Sequence, residues 1–323
     1  MIANLQPAAI NAVIQKEVAK SRQDPTTSVP PTEQLPVNET ANGPTNSLQK
    51  LIAIGGDDLK NAELYQLYSA AAYCLNGLDG WICKDRCAGG TLGTKLISKF
   101  VDSKTDTVGY VAVNPSRKEI IVAFRGTSSI TNAINDLKFF KADANVGLSR
   151  LRAPDGAKVH IGFQSTVTAS RSAVRAAIQK AFQQYGTDYT ITVTGHSLGG
   201  ATSVLTAIDI VDWLGDSAGK TLKLYTYGEP RVGNSIFANW VSTLPFASHV
   251  YRITHTTDIV PHLPPKSFGF QHHREEFWIS KNGDLNSCND ANGEDPQCAG
   301  SVFIPTIDAH LNGYFSMPFG PWC

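Results

Sequence analysis

Gly195-His196-Ser197-Leu198-Gly199 is a G-x-S-x-G pattern, and its surroundings give it chemical meaning. The run Thr190 to Thr194 carries Ile191 and Val193 in a β-rich stretch that reads as a buried strand. The small-residue segment after Gly199 reads as a helix. A strand that turns this sharply into a helix holds its central serine in a strained conformation with the hydroxyl exposed, and the flanking glycines leave room for the turn. The first N–H groups of the helix aim at the same point, where they favour negative charge. Ser197 is therefore the candidate nucleophile, and the backbone N–H of Leu198 a candidate donor to an oxyanion.

A serine hydroxyl needs a base to take its proton, and the base needs an acid to fix its tautomer and orientation. On a turn of this kind the chain order is serine, then acid, then histidine. Asp258 fits as the acid, in the loop after the predicted strand Val250 to Thr254. Of eight histidines, His310 in Ile307-Asp308-Ala309-His310-Leu311 comes last and is the candidate base. His262, His272 and His273 are alternatives, although the proline-bracketed His262 fits packing or groove lining better. A second oxyanion donor is expected at Phe124-Arg125-Gly126-Thr127, after the predicted strand Glu119 to Phe124, since the H-G-G-G loop of one hydrolase group is absent. Thr127 offers both its N–H and its hydroxyl.

Directly after it, Ile130, Ala133, Ile134 and Leu137 recur at i, i+3, i+4 and i+7, the mark of a short amphipathic helix with Ser128 and Ser129 available as caps. Alone, such a helix simply faces the core. Beside an oxyanion loop it reads as a lid, apolar face down over the serine in water and swung open against lipid. Opening costs about 25 cal/mol per Å² exposed, recovered where an apolar interface receives the patch.

The elements that must position these groups alternate. Helices are expected over Leu64 to Tyr73, Phe163 to Tyr185 and Ser235 to Ser242. Strands are expected at Val108 to Val113, Glu119 to Phe124, Thr221 to Tyr227 and Val250 to Thr254. No internal repeat appears, and the interleaving argues for a single layered α/β domain from about Leu51 onward. Before it, residues 7 to 22 pattern as an amphipathic helix with Ile10, Val13, Ile14 and Val18 on one face. Gln23 to Ser47 is a Pro/Thr-rich linker holding the glycosylation sequon Asn38-Glu39-Thr40.

Charge is balanced at 28 basic and 28 acidic residues, so nothing points to nucleic acid as a partner. No run approaches the roughly 20 apolar residues of a membrane span, and no signal peptide stands at Met1; a secreted protein would have lost its leader. Six cysteines without zinc-site spacing favour three disulfides and an oxidising, extracellular setting; their fifteen possible pairings stay open on sequence grounds.

Several blocks in order make the chain resemble the class 3 lipase family, the secreted triacylglycerol lipases of filamentous fungi, and within it the Rhizopus and Rhizomucor type. They are Val122 to Ser129, Lys158 to Phe163, Thr194 to Ala201, Pro230 to Asn234, Asp258 to Pro265 and His310-Leu311. The resemblance covers residues 51 to 323. It implies an α/β-hydrolase fold, with a mostly parallel sheet flanked by helices and a short helical lid. It also implies triacylglycerol hydrolysis at an oil–water interface by a Ser197–His310–Asp258 triad, with no metal or organic cofactor, in a secreted monomer. Thr127 and Leu198 become oxyanion donors, and Asp136 an acid that supports Thr127 on lid opening. Tyr73 would sit beside the oxyanion hole, His196 beside the substrate, and Phe139, Val260 and Leu263 along the acyl groove. The implied disulfides are Cys74–Cys323, Cys83–Cys87 and Cys288–Cys298, and residues 1 to 50 would be a propeptide that packs near the lid.

Three departures stand out. Ala133 occupies a position where some relatives carry a lid tryptophan, and Cys83 and Cys87 are further apart than the family pattern. Asp308-Ala309-His310 looks more like the feruloyl-esterase branch. The alternative activities are accordingly feruloyl or other soluble-ester hydrolysis, or phospholipase A1 action; the non-enzymatic alternative is a lipid-surface binding module.

Overall fold

Thr107–Asn114 and Glu119–Phe124 are buried at every position, on both faces. Runs of that kind belong in the middle of a sheet covered by helices on both sides. The computed structural model, which describes residues 51–128, 130, 139–146, 149–289 and 293–320, puts them there. In chain order the strands of the main sheet are β1 (Ile52–Ala53), β2 (Lys95–Asp102), β3 (Thr107–Asn114) and β4 (Glu119–Phe124), then β7 (Thr190–His196), β8 (Lys223–Tyr227), β9 (Val250–His255), β10 (Glu276–Ile279) and β11 (Leu285–Ser287). β5 (Lys141–Asp143) and β6 (Lys158–His160) form a separate ribbon. Among the described residues the sheet order is β1-β11-β10-β9-β8-β7-β4-β3-β2. β4, β7, β8, β9 and β10 run parallel, with antiparallel strands at both flanks.

Side-chain alternation decides what covers each face. Ile120, Val122 and Phe124 join Val193 and Leu224 under α2 (Ile161–Tyr185) and α3 (Leu198–Leu214). Ile121 and Ala123 join Tyr225 and Tyr227 on the other face, under α1 (Gly56–Ala71). The parallel centre brings the carboxyl ends of β4, β7 and β9 to one edge, which is where open α/β sheets hold ligands.

Most predicted elements are present with ends shifted by a few residues. α1 is the larger exception: it starts at Gly56 rather than Leu64, because the polar Gly56-Asp57-Asp58 start shows no apolar stripe. β2 went unread. Its register against β3 shifts between Leu96 and Ser98, and that bulge breaks the two-residue period a strand reading relies on.

The structure joins Cys83 to Cys87 and Cys288 to Cys298. Cys74 is also disulfide-bonded, and its expected partner Cys323 lies outside the described residues. Outside them too are the helix expected at 7 to 22, Asn38, and Ser129, Ala133, Ile134, Asp136 and Leu137 of the expected lid. No described helix is long and apolar enough to cross a membrane.

Candidate active site

β7 ends at His196 and α3 begins at Leu198, so a single residue makes the turn. Ser197 takes φ 59° and ψ −127°, a conformation an L-residue holds only under external constraint. The constraint is close packing. A Cβ on Gly195 would lie 2.2 Å from the Gly199 carbonyl oxygen, and one on Gly199 would lie 2.4 Å from that of Phe124. Glycine at both positions lets α3 sit directly against the ends of β7 and β4. The Ser197 N–H donates to the Tyr227 carbonyl at 2.9 Å, which ties the turn to β8 as well.

The loop after β4 is pressed onto the same turn. A Cβ on Gly126 would meet the Tyr73 hydroxyl at 2.4 Å and Cβ of Ser197 at 2.9 Å, so Thr127 follows immediately beside the serine. Leu198, the first residue of α3, has the free N–H of a helix start.

Asp258 and His310 arrive from loops joined by an isolated bridge between Asp258 and Thr306. The short helix α4 (Asp308–Leu311) then aims His310 back at Asp258. Nδ1 of His310 lies 2.8 Å and 3.0 Å from the two Asp258 oxygens. His310 is the one histidine of the eight that bonds to Asp258; His272 donates Nε2–H to the Pro261 carbonyl, and His273 pairs with Glu229. Asp258 further accepts from the Val260 N–H at 2.8 Å and the Tyr314 hydroxyl at 2.6 Å. Because a carboxylate only accepts, Nδ1 must carry the imidazole proton, which leaves Nε2 with a lone pair. That nitrogen is buried and has no hydrogen-bond partner among the described residues.

Tyr73 lies beside the loop that carries Thr127, as expected, whereas His196 is buried and does not reach toward a substrate. His196 is 1% exposed, its ring stacked between Phe319 at 3.8 Å and His310 at 4.2 Å. Its Nε2–H donates to the His310 carbonyl at 2.9 Å. Burial, aided by the neighbouring His310, holds its pKa well below the usual histidine range, so the ring stays neutral and Nδ1 accepts. The Tyr73 hydroxyl donates to that Nδ1 at 2.7 Å and accepts from the Gly126 N–H at 3.1 Å. One chain of hydrogen bonds thus links the loop before Thr127 to the backbone of the base.

Val260 and Leu263 are buried with Ile259 in a small apolar cluster that Ile130 and Ile307 cover. Phe139 instead packs on Phe268, with ring centroids 4.7 Å apart. Ser128 is exposed. Sequence reasoning missed Tyr314, for which no local signal exists, and Asp106, in the turn between the unread β2 and the expected strand β3.

A serine under backbone strain at the carboxyl edge of a parallel sheet, beside an acid-held imidazole, defines an α/β-hydrolase built for acyl transfer. Comparison with known proteins gives the family. Residues 121–268 match the family model "Lipase (class 3)". The lipase of Rhizomucor miehei is 34% identical over 316 residues, covering 94% of this chain and 82% of its own. A solved structure described as a triacylglycerol lipase whose catalytic centre is a serine protease triad aligns with TM-score 0.75 and 34% identity, over 84% of this chain and 99% of that one. The Rhizomucor miehei lipase propeptide complex aligns at TM-score 0.72 and 32% identity, over 87% and 91%. The chain belongs to the class 3 lipase family and is an ester hydrolase of that family.

Two outcomes test this geometry. Tyr314→Phe keeps the buried ring but removes a donor from the Asp258 carboxylate, a hydrogen bond of the charged class; kcat/KM on a soluble ester should fall about tenfold while the melting temperature moves little. An unchanged kcat/KM would refute a supporting role. Acid should also destabilise the fold. Burial, with Arg231 nearby, pushes His262 down to about 4, and burial likewise holds His196 and His272 well below the usual value. A histidine with a lowered folded pKa leaves stability untouched above its unfolded value of about 6.5 and lowers it as pH falls, because the unfolded chain takes up the proton first. Denaturant midpoints measured from pH 7 to 4 should decline, with His262 alone contributing about 3 kcal/mol by the lower limit. His262→Gln should flatten that slope.

Proposed function

We propose that Ser197, His310 and Asp258 are the catalytic triad of a secreted triacylglycerol lipase working at an oil–water interface. The observation that carries the reading is the presence, in one site, of a serine held at φ 59° and a buried histidine whose Nδ1 is bound to a carboxylate and whose Nε2 is open. Nε2 of His310 takes the Ser197 proton as the serine oxygen attacks the ester carbonyl. Charge collects on the carbonyl oxygen, against the N–H groups of Leu198 and Thr127. His310 then hands its proton to the departing alcohol, and water repeats the sequence on the acyl-enzyme. Asp258 holds the ring throughout by its hydrogen bonds to Nδ1; the steps need no metal or organic cofactor.

A lipid substrate is supported by the apolar cluster of Ile259, Val260 and Leu263 under Ile130, at the first turn of the expected lid. It is supported as well by the triacylglycerol named for one solved relative. The disulfides favour an extracellular setting. Residues 1 to 50 are read as a propeptide that packs on the catalytic domain of residues 51 to 323 and restrains it, a reading favoured by the propeptide complex of the Rhizomucor miehei lipase.

Ser197→Ala should lower kcat by about 10⁴-fold or more, and a phosphonate ester should label Ser197 and no other residue. The rate on a triglyceride should rise as the substrate passes its solubility limit; equal or better turnover of a dissolved short-chain ester would favour a soluble-ester esterase instead. Deleting residues 1 to 50 should raise the initial rate on an emulsion and shift the melting temperature. If neither moves, the propeptide reading fails.

A further inference from the structure

The second oxyanion donor faces an acid. β2 and β3 are joined by a tight turn in which Asp102 accepts from the N–H and the hydroxyl of Thr105, at 2.9 Å and 2.8 Å. Asp106, near its end, sits at φ 51°, in the left-handed region that aspartate enters more readily than most residues. β3 pairs with β4 as far as Gly109 opposite Phe124, and the Arg125 N–H extends the ladder by donating to the Val108 carbonyl at 2.9 Å. Carried a little further, that register sets Asp106 across from Thr127. The side chains agree. Oδ2 of Asp106 accepts from the Thr127 hydroxyl at 2.9 Å, from the Ser128 N–H at 3.0 Å and from the Ser128 hydroxyl at 3.4 Å. Oδ1 pairs with the guanidinium of Arg125.

A threonine hydroxyl has one proton to give. While it goes to Asp106, Thr127 has only its backbone N–H for a substrate. The carboxylate also places negative charge beside a loop whose task is to stabilise another negative charge, and Arg125 offsets that only in part. We propose that Asp106 is a positioning residue that latches the Thr127 hydroxyl away from the reacting oxygen, so that the oxyanion hole gains its hydroxyl donor only when Thr127 leaves Asp106. The inference rests on Thr127 being an oxyanion donor, as argued above. Because Ser128 is bound by the same oxygen, the two residues are released together.

Asp106→Ala should raise kcat on a dissolved short-chain ester about tenfold, with KM within about twofold, since one full oxyanion donor is worth on the order of 10²–10³ in kcat and the latch withholds part of that. The same substitution in a Thr127→Val background should give no gain, because no hydroxyl is left to release. A merely structural effect of Asp106 would act alike in both backgrounds. A gain that survives in the valine background overturns the latch, as does an unchanged or lower kcat for Asp106→Ala. Should Asp106→Ala fold poorly, Asp106→Asn keeps the turn while offering a weaker acceptor; it should give a smaller gain with the same dependence on Thr127, and the same results overturn it. Absence of ester hydrolysis in the parent protein would sink the functional reading and the latch with it, whereas normal hydrolysis indifferent to Asp106 sinks the latch alone.

Discussion

The distance between the start of α3 and the ends of β7 and β4 governs the rest of the site. The Cβ positions of Gly195 and Gly199 fall within 2.4 Å of backbone oxygens, so any larger residue would force these elements apart. Bringing them together bends Ser197 into an unfavourable conformation that costs on the order of 1–3 kcal/mol. The cost is spread over a helix buried almost throughout and over hydrogen bonds from the Ser197 and Gly200 N–H groups. In return the loop after β4 has no choice but to lie beside the serine. Ser197 and the loop before Thr127 are set by a single act of packing.

The polar groups around them are nearly all matched, and counting protons shows how. The Gly126 N–H serves Tyr73, the Tyr73 O–H serves His196, and the His196 Nε2–H serves the His310 carbonyl. Asp258 takes three donors, two from side chains and one from backbone. Within this network the valence left open is the lone pair on Nε2 of His310. Buried polar atoms without partners are unfavourable, so an unpaired acceptor amid satisfied neighbours marks a place kept open for a hydrogen-bond donor. The low polarity that keeps His196 neutral strengthens the bond between Asp258 and the His310 ring.

How much of this the chain's letters disclose depends on whether the signal is local. Gly195, Ser197 and Gly199 announce the turn because strand, bend and helix are adjacent in sequence. The order of Ser197, Asp258 and His310 follows from the connectivity of such sheets. Central strands such as β4 are legible as apolar runs, whereas β2 hides behind its bulge and α1 begins in residues that carry no stripe. Asp106 and Tyr314 are invisible for a different reason. Their importance comes from contacts across a hairpin and across 56 residues of chain, and nothing within a few positions of either records the partner. Tyr73 lies where expected, against the loop before Thr127, but no local signal shows that its hydroxyl and the buried His196 are bonded to each other.

The ring of His196, next to the serine, is sandwiched between His310 and Phe319. Both cover pieces come from a stretch more than a hundred residues later in synthesis than the serine itself. A growing polypeptide therefore carries Ser197 long before it carries His310, and the His196 ring lacks a wall until Phe319 docks. For an ester hydrolase this order has a consequence. The pocket of polar and aromatic groups around Ser197 closes only when the last stretch of the chain has docked.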